Sequence, residues 1–391
     1  MRAGRVLAAG FAILSLAACT GEGLTAWSQY WAGRHTMESL DRASRLVPGN
    51  AVLWRERGVL RLDSDPHAAR DMLLRASALN VFDADALIGL GLLAESEGRR
   101  PEAEDYLTRA ARISRRFKPK AALSFFYARH DSERFWAAAT DAAEVEGADP
   151  EPVFRIMNPL QAEESLSLRS QHALKSYAGF LLKRKGAPGL GPVALKVDPT
   201  PDSRPLLAAA TDRLIEECRT KEAVALWNRV HKDHPLDPAA GASLTNARFS
   251  AGEHGGFDWR LSNPPGIDLR EGAPGDFRIE FSPHHSESAT LLEQFVPVVP
   301  GKSYRLTVSY QTSGLNGYTD VSWHVASARP ASSLSAASAL LAPVAEGRVV
   351  VTFQAGPGVD LVRMALRYSR SPGRVRLEGA IVLRLAELAL L

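Results

Sequence analysis

Residues 84–110 read ADALIGLGLLAESEGRRPEAEDYLTRA, and their spacing decides the first half of the fold. Leu87, Leu90 and Gly91 recur at helical intervals before Gly98, and Ala103, Leu107 and Ala110 recur after it. Each set lines one face of a helix, so the stretch predicts two helices joined by a turn, each burying one apolar stripe against the other. Gly and Ala at the crossing let the helix axes approach closely, where a larger side chain would separate them. Gly98 stands where a helix C-terminus favours a residue tolerant of positive φ.

The scheme recurs upstream in Trp54, Gly58, Ala69, Leu73 and Ala76, and Leu40, Ala43 and Pro48 read as the second helix of a partial unit. Ala43, Ala76 and Ala110 follow one another at 33 and 34 residues, and Gly58 and Gly91 lie 33 apart. A period of that length predicts stacked helix–turn–helix units, an architecture that more often carries partners than chemistry. A degenerate unit follows in RLIEECRTKEAVALWNRVHKDHP (213–235), with Ala223, Trp227 and Pro235 in the same order.

These positions resemble the tetratricopeptide repeat family, whose units carry an aromatic or Leu, a Leu-Gly pair, two Ala positions around a bulky residue, and a closing Pro. The chain departs from that pattern at Arg57, where the family prefers Leu, and at Val81 and Phe82, where it often closes with Pro. The resemblance covers clear units over 35–148 and degenerate ones over 149–250. It implies a concave groove lined by the first helix of each unit, here Arg55, Val59 and Leu62, then Asp85, Ile88, Leu92 and Glu95. Members that bind chaperone tails clamp a peptide carboxylate with Lys and Asn; Val59 and Leu92 take the Asn place, so that clamp is missing. A mixed apolar and charged groove fits an extended or helical segment of a protein partner. The same side chains could instead pack against ERFWAAATDAAEVE (133–146) of the next unit.

The N-terminal MRAGRVLAAGFAILSLAAC has two arginines and then an apolar run from Val6 to Ala18. That run is short for a bilayer span and fits the apolar region of a secretion signal. Leu16-Ala17-Ala18-Cys19 resembles the lipobox of bacterial lipoproteins, which implies a signal over 1–18, a lipidated Cys19 and a tether over 19–34. An uncleaved inner-membrane signal anchor and ordinary secretion are the alternatives. Thr20 rather than Asp after the Cys implies, by the same resemblance, the outer membrane with the chain facing the periplasm. With Cys19 in the anchor, Cys218 has no disulfide partner; it reads as a buried helical thiol beside Leu214 and Ile215.

Near residue 250 the pattern changes. FRIEF (277–281), YRLTVSY (304–310), VSWHV (321–325) and VVVTF (349–353) alternate with period two between Gly and Pro signals, and VRMALRY and VRLEGAIVL continue the series. Such segments predict an antiparallel two-sheet sandwich over 251–391. Pro297, Pro300 and Gly301 mark an edge and a turn, and the Ala/Ser-rich stretch 326–347 reads as a long loop. The fold class expected for the whole chain is therefore α-helical repeats followed by a jelly-roll-like β-sandwich. GGFDWRL (255–261) and QFVPVVPGKSYRLTVSY (294–310) resemble carbohydrate-binding modules and galactose-binding-like domains. That resemblance implies sugar stacking on exposed aromatic faces, with Tyr318, Trp323 and Trp259 as candidates. Trp323 alternates with Val321 and Val325, which also fits a core position, whereas Tyr318 lies in a loop.

Composition is that of a folded protein: of 391 residues 45% are hydrophobic and 23% charged. The net charge of +3 includes Arg2 and Arg5, so nothing suggests a nucleic-acid partner. The basic run Arg112, Arg115, Arg116, Lys118 and Lys120 reads as a solvated helix end. No phosphate loop, nucleophile elbow or zinc spacing occurs, and no cofactor is expected. SPHHSE offers His284, His285 and Glu287, but adjacent residues of a strand point to opposite faces, so the two histidines do not readily ligate one metal and no metal site is expected. Asp258, Glu280 and Glu293 offer no evident catalytic pair. The expectation is a non-enzymatic, membrane-anchored scaffold that contacts protein through its repeats and a polysaccharide through its sandwich. Its architecture resembles components of bacterial exopolysaccharide production or export. A purely structural envelope assembly factor, whose sandwich docks on protein, is the competing class, and a glycan-active hydrolase a third.

Overall fold

The computed structural model describes residues 24–391 apart from 26–27, 30–31, 158–167, 253, 272–274, 316–317 and 330–336. Two compact units divide the chain, Met1–Ala173 and Leu174–Leu391. The first holds α1 (Met37–Leu46), α2 (Ala51–Arg61), α3 (Pro66–Leu79), α4 (Ala84–Ser96), α5 (Arg100–Ile113), α6 (Phe117–His130), α7 (Ser132–Ala143) and α8 (Glu151–Met157). Short acidic or amide side chains start several of these helices by accepting the first free N–H groups. Asn50 accepts from Val52 N–H at 3.0 Å, Asp65 from Ala68 and Asp83 from Ala86, both at 3.0 Å. Thr36 and Ser39 form a reciprocal capping box at the head of α1.

Helices α2/α3, α4/α5 and α6/α7 pack as pairs. In the first two the equivalent side chains do equivalent work. A β-carbon on Gly58 would meet Leu73 Cγ at 2.7 Å, and one on Gly91 would meet Leu107 Cγ at 2.7 Å. Ala69, Leu73 and Ala76 of α3 and Ala103, Leu107 and Ala110 of α5 are all fully buried. The third pair buries Phe135, Ala139 and Ala142 at the same helical spacing, with the bulky residue one turn earlier. The large residue stands ahead of the two alanines here and not between them, a departure from the order in the first two pairs.

The second unit opens with α9 (Gln171–Leu182, which straddles the division), α10 (Leu190–Ala194), α11 (Arg204–Glu216) and α12 (Thr220–Val230). The α11–α12 turn copies the α4–α5 turn. Cys218 donates its N–H to Ile215 O at 2.9 Å and Arg219 to Leu214 O at 2.8 Å, as Gly98 does to Glu95 O at 3.0 Å and Arg99 to Ala94 O at 2.8 Å. Cys218 is therefore not a buried helical thiol as expected; it is half-buried just past the helix end, with φ +53° where Gly98 has +77°. Ala223 and Trp227 of α12 are buried where α5 has Ala103 and Leu107.

Ten strands follow, β1 (Arg260–Leu261), β2 (Ile267–Arg270), β3 (Phe277–Phe281), β4 (Ser288–Pro297), β5 (Ser303–Ser313), β6 (Val321–Ser327), β7 (Ala337–Leu340), β8 (Glu346–Gln354), β9 (Leu361–Ser369) and β10 (Gly379–Leu390). They form two five-stranded sheets ordered β1-β4-β9-β6-β7 and β2-β3-β10-β5-β8, with antiparallel pairing throughout. The alternation seen in sequence is real: Tyr304, Leu306, Val308 and Tyr310 point inward with Val321, Trp323 and Val325. Two expectations need correction. The Ala/Ser-rich stretch is not loop throughout, because 337–340 pairs with β6 as an edge strand whose small residues suit the rim of the sheet. Val375 to Leu377 lie outside β10, which begins only at Gly379, where φ is +104°. No described helix is long and apolar enough to cross a membrane.

Candidate functional site

On the repeat unit, Val59 and Leu92 occupy matching positions one repeat apart, and the two residues are 46% and 42% exposed. Ion pairs tie the charged candidates around them to neighbouring helices. Arg55 Nη1 pairs with Asp83 Oδ2 at 3.2 Å, Asp85 Oδ1 with Lys118 Nζ at 2.6 Å, and Glu95 with Arg129 Nη2 at 2.7 Å and His130 Nε2 at 2.8 Å. Burial raises the Glu95 pKa, but the hydrogen bonds and charges of Arg129 and His130 outweigh it and hold the carboxyl below its ordinary value. Ile88 differs from expectation: it is buried between helices and contributes nothing to the open surface. Arg129 and Lys118 were not legible as partners of these candidates, because α6 lacks the repeat's Leu-Gly pair and Lys118 belongs to an interrupted basic run.

The sandwich candidates do not converge. Trp323 is fully buried and meets Trp259 edge-to-face at 5.7 Å. Trp259 is also buried, stacks on Phe249 at 5.0 Å, and donates its indole N–H to Asn246 O at 3.0 Å. Neither ring offers a face to a sugar: Trp323 takes the core position that its alternation with Val321 and Val325 allowed, and the expectation of a sugar face on Trp259 is corrected. Tyr318 is half-buried at the edge of the core and donates its hydroxyl to Val375 O at 2.8 Å. The Arg374 guanidinium lies 4.8 Å from its ring centre and is itself held by Asp320 at 2.8 Å. One ring face is thus occupied by a cation. Cys19 lies outside the described residues.

The carboxylates and histidines set aside earlier are engaged separately. Buried His285 faces Ser286 O at 2.8 Å and Leu377 O at 2.9 Å. Glu287 pairs with Arg370 and Arg376, and the Arg370 hydrogen bond, ahead of the others, holds its carboxyl below the usual value. Asp258 accepts from Asn246 Nδ2 at 3.0 Å and Trp259 N–H at 2.7 Å, while Glu293 binds Arg363 at 2.6 Å. Among the described residues no group of His, Cys, Asp and Glu is arranged to hold a metal ion.

Two concavities in the second unit bring together residues far apart in sequence. An open groove of about 520 Å³ on the outer side of β5, β8 and β10 carries Ser309, Gln311, Glu346, Arg348 and Arg384. In it Gln311 donates to Glu346 Oε1 at 2.8 Å and accepts from Arg384 Nη2 at 2.5 Å. A larger cavity of about 940 Å³ is lined by Trp227, His231, Thr245, Asn246, Arg248 and Asp258, among others. Its Trp227 ring is stacked by His231 at 3.8 Å, so that face is closed. Sequence gave no signal for the first groove, because strand register alone sets Ser309 beside Arg348.

No protein-family model matches the chain, and no curated protein matches it. Solved structures similar to parts of it include YrrB, described as a TPR protein with an unusual peptide-binding site, at 12% identity over 50% of this chain and 93% of that one, with a TM-score of 0.28. PilF of Pseudomonas aeruginosa is similar at 15% identity over 56% of this chain and 93% of that one, with a TM-score of 0.28. The carbohydrate-binding module TmCBM61, solved with β-1,4-galactotriose, is similar at 16% identity over 38% of this chain and 97% of that one, with a TM-score of 0.27.

Proposed function

We propose that the chain is a non-enzymatic, envelope-anchored scaffold that holds an extended segment of a protein partner along its helical repeats, in exopolysaccharide production or export. The observation that carries this reading is the repeated placement of exposed Val59 and Leu92, bordered by the Arg55–Asp83, Asp85–Lys118 and Glu95–Arg129 pairs. Apolar anchors one repeat apart, flanked by polar groups of both signs, suit alternate side chains and the backbone of an extended peptide. A photo-crosslinking residue at Leu92, introduced into the full chain in its envelope, tests this. The reading requires a discrete adduct that disappears when Val59→Asp is added. Adduct formation unaffected by Val59→Asp, or equally strong from Leu74 on α3, rejects the groove.

Anchoring through Cys19 belongs to the same proposal, and labelling with a radioactive fatty acid checks it: label should be lost with Cys19→Ser. A glycan ligand for the sandwich is favoured by the hydroxyl, amide, carboxylate and guanidinium groups that meet in the β5–β8–β10 groove, since these are the groups that pair with sugar hydroxyls. Retardation of the full chain in polysaccharide-containing gels, weakened by Arg348→Ala, is expected. Unretarded migration removes the glycan and leaves the purely structural assembly factor.

A further inference from the structure

Three turns leave the repeat unit in the same way. The N–H groups of Val47, Asn80 and Ser114 close α1, α3 and α5 on the carbonyls of Ala43, Ala76 and Ala110 at 3.1, 2.9 and 3.2 Å. The residues that follow are therefore equivalent and lie along one edge of the stack. They are Pro48-Gly49 in the first turn, Val81-Phe82 in the second and Arg115-Arg116 in the third. Among the described residues of the unit, the second turn is the most apolar exposed point: Phe82 is 75% exposed, Val81 63% and Leu79 45%. The third is cationic. Arg112, Arg115 and Arg116 are exposed and make no ion pair among the described residues, whereas Lys118 and Lys120 are matched by Asp85 and Asp141.

Much of the backbone of the apolar turn is already paired. Phe82 N–H donates to Asn80 Oδ1 at 3.1 Å, Asp83 N–H to Asn80 O at 3.1 Å, and Ala84 N–H to Phe82 O at 3.0 Å. Asp83, the acid of this turn, is buried and committed to capping α4 and to Arg55. The turn therefore presents Leu, Val and Phe with three of its N–H groups paired and without a free negative charge, which lowers the cost of entering an apolar layer.

We propose that this edge docks on an anionic phospholipid surface, with Leu79, Val81 and Phe82 entering the interface and Arg112, Arg115 and Arg116 pairing with lipid phosphates. A protruding tip needs no complementary pocket in its partner, and a fluid interface accepts an aromatic and aliphatic tip beside unpaired cations. The contact is separate from the anchor at Cys19 and from any peptide in the groove, and it stands or falls without them.

The test uses the full chain with Cys19→Ser and Cys218→Ser, carrying an environment-sensitive fluorophore at Phe82→Cys; the exposure of Phe82 leaves the core intact, and an unchanged thermal melt checks this. Vesicles of phosphatidylglycerol and phosphatidylethanolamine should shift the emission to the blue and allow quenching by bromine-labelled acyl chains. Phosphatidylcholine vesicles should not. Added salt should reverse the shift, and Arg115→Glu with Arg116→Glu should weaken the midpoint in lipid concentration by about tenfold or more. The proposal is overturned if the chain sediments with anionic vesicles while the emission stays unshifted. It is equally overturned if the shift arises without vesicles as protein concentration rises, which would assign the edge to a second copy of the chain.

Discussion

Gly91 stands so close to Leu107 that a β-carbon built on it would lie 2.7 Å from Leu107 Cγ and 3.4 Å from the Ala103 carbonyl oxygen. Gly58 stands in the same relation to Leu73 and Ala69, at 2.7 and 3.1 Å. The repeat register seen in sequence is thus a register of helix–helix contact, in which the absent side chain on one helix is the space filled by Leu on the other.

Gly91→Ala should accordingly destabilise the repeat unit despite the better helix propensity of Ala, by about 1–3 kcal/mol. Leu107→Ala alone should cost about 2–5 kcal/mol through the cavity it leaves. If the contact is direct, the double variant loses less than the sum of the two. Urea denaturation of the four proteins of the cycle measures the coupling, and strict additivity would remove the close-packing account.

Cys218→Gly should be stabilising, by about 1 kcal/mol. The half-buried thiol sits at φ +53° in the turn where the equivalent Gly98 has +77°, and a left-handed conformation costs about 1–2 kcal/mol for a residue with a β-carbon. An upward shift of the urea midpoint at constant slope is the expected result; a downward shift would mean that thiol packing outweighs the backbone strain.

The Glu95 carboxyl, held below its ordinary value by Arg129 and His130 against the effect of burial, makes the repeat unit acid-sensitive. As pH falls, the unfolded chain takes up the proton first, near the ordinary glutamate value of about 4.3. Stability from this group is therefore full above that value and is lost as pH drops from there through the folded-state pKa. Glu95→Gln should flatten the denaturation midpoint against pH below about 4.3. An unchanged slope would show that the pairs do not hold in solution.

Asp320 anchors the loop beside Tyr318. Its carboxylate, almost wholly buried, accepts from Ser371 N–H at 3.0 Å, Ser371 Oγ at 2.8 Å and Arg374 Nη1 at 2.8 Å. Asp320→Ala should cost about 1.5–3 kcal/mol, the scale of hydrogen bonds to a charged group. It should also speed amide exchange at Ser371, because that N–H loses its acceptor. Protected exchange at Ser371 in the variant would contradict the assignment.

Much of this fold was legible because its signals are local. Leu87, Leu90 and Gly91 already lie on one helical face, and Tyr304, Leu306 and Val308 already alternate, whatever lies beyond them. Legibility weakened where the order of large and small residues changes. Within 35–148, the α6/α7 pair sets Phe135 ahead of Ala139 and Ala142, so the position-by-position match of the first two pairs does not extend to it. For the candidate sites it stopped sooner. Aromatic residue type says nothing about which side of a sheet a ring faces, and Trp323 and Trp259 turned inward to meet each other.

By itself the sequence determined the helical repeats, the close glycine contacts and the two-sheet sandwich, because hydrophobic period and repeat spacing are properties of neighbouring residues. Only the tertiary structure decided which side chains remain open. Strand order set Ser309 beside Arg348 and Arg384, pairs between helices enclosed Glu95 and Asp85, and identical caps put Val81-Phe82 and Arg115-Arg116 on one edge. Exposure is what remains after distant segments have covered one another, so it follows from the contacts of the whole unit and not from the residues that carry it.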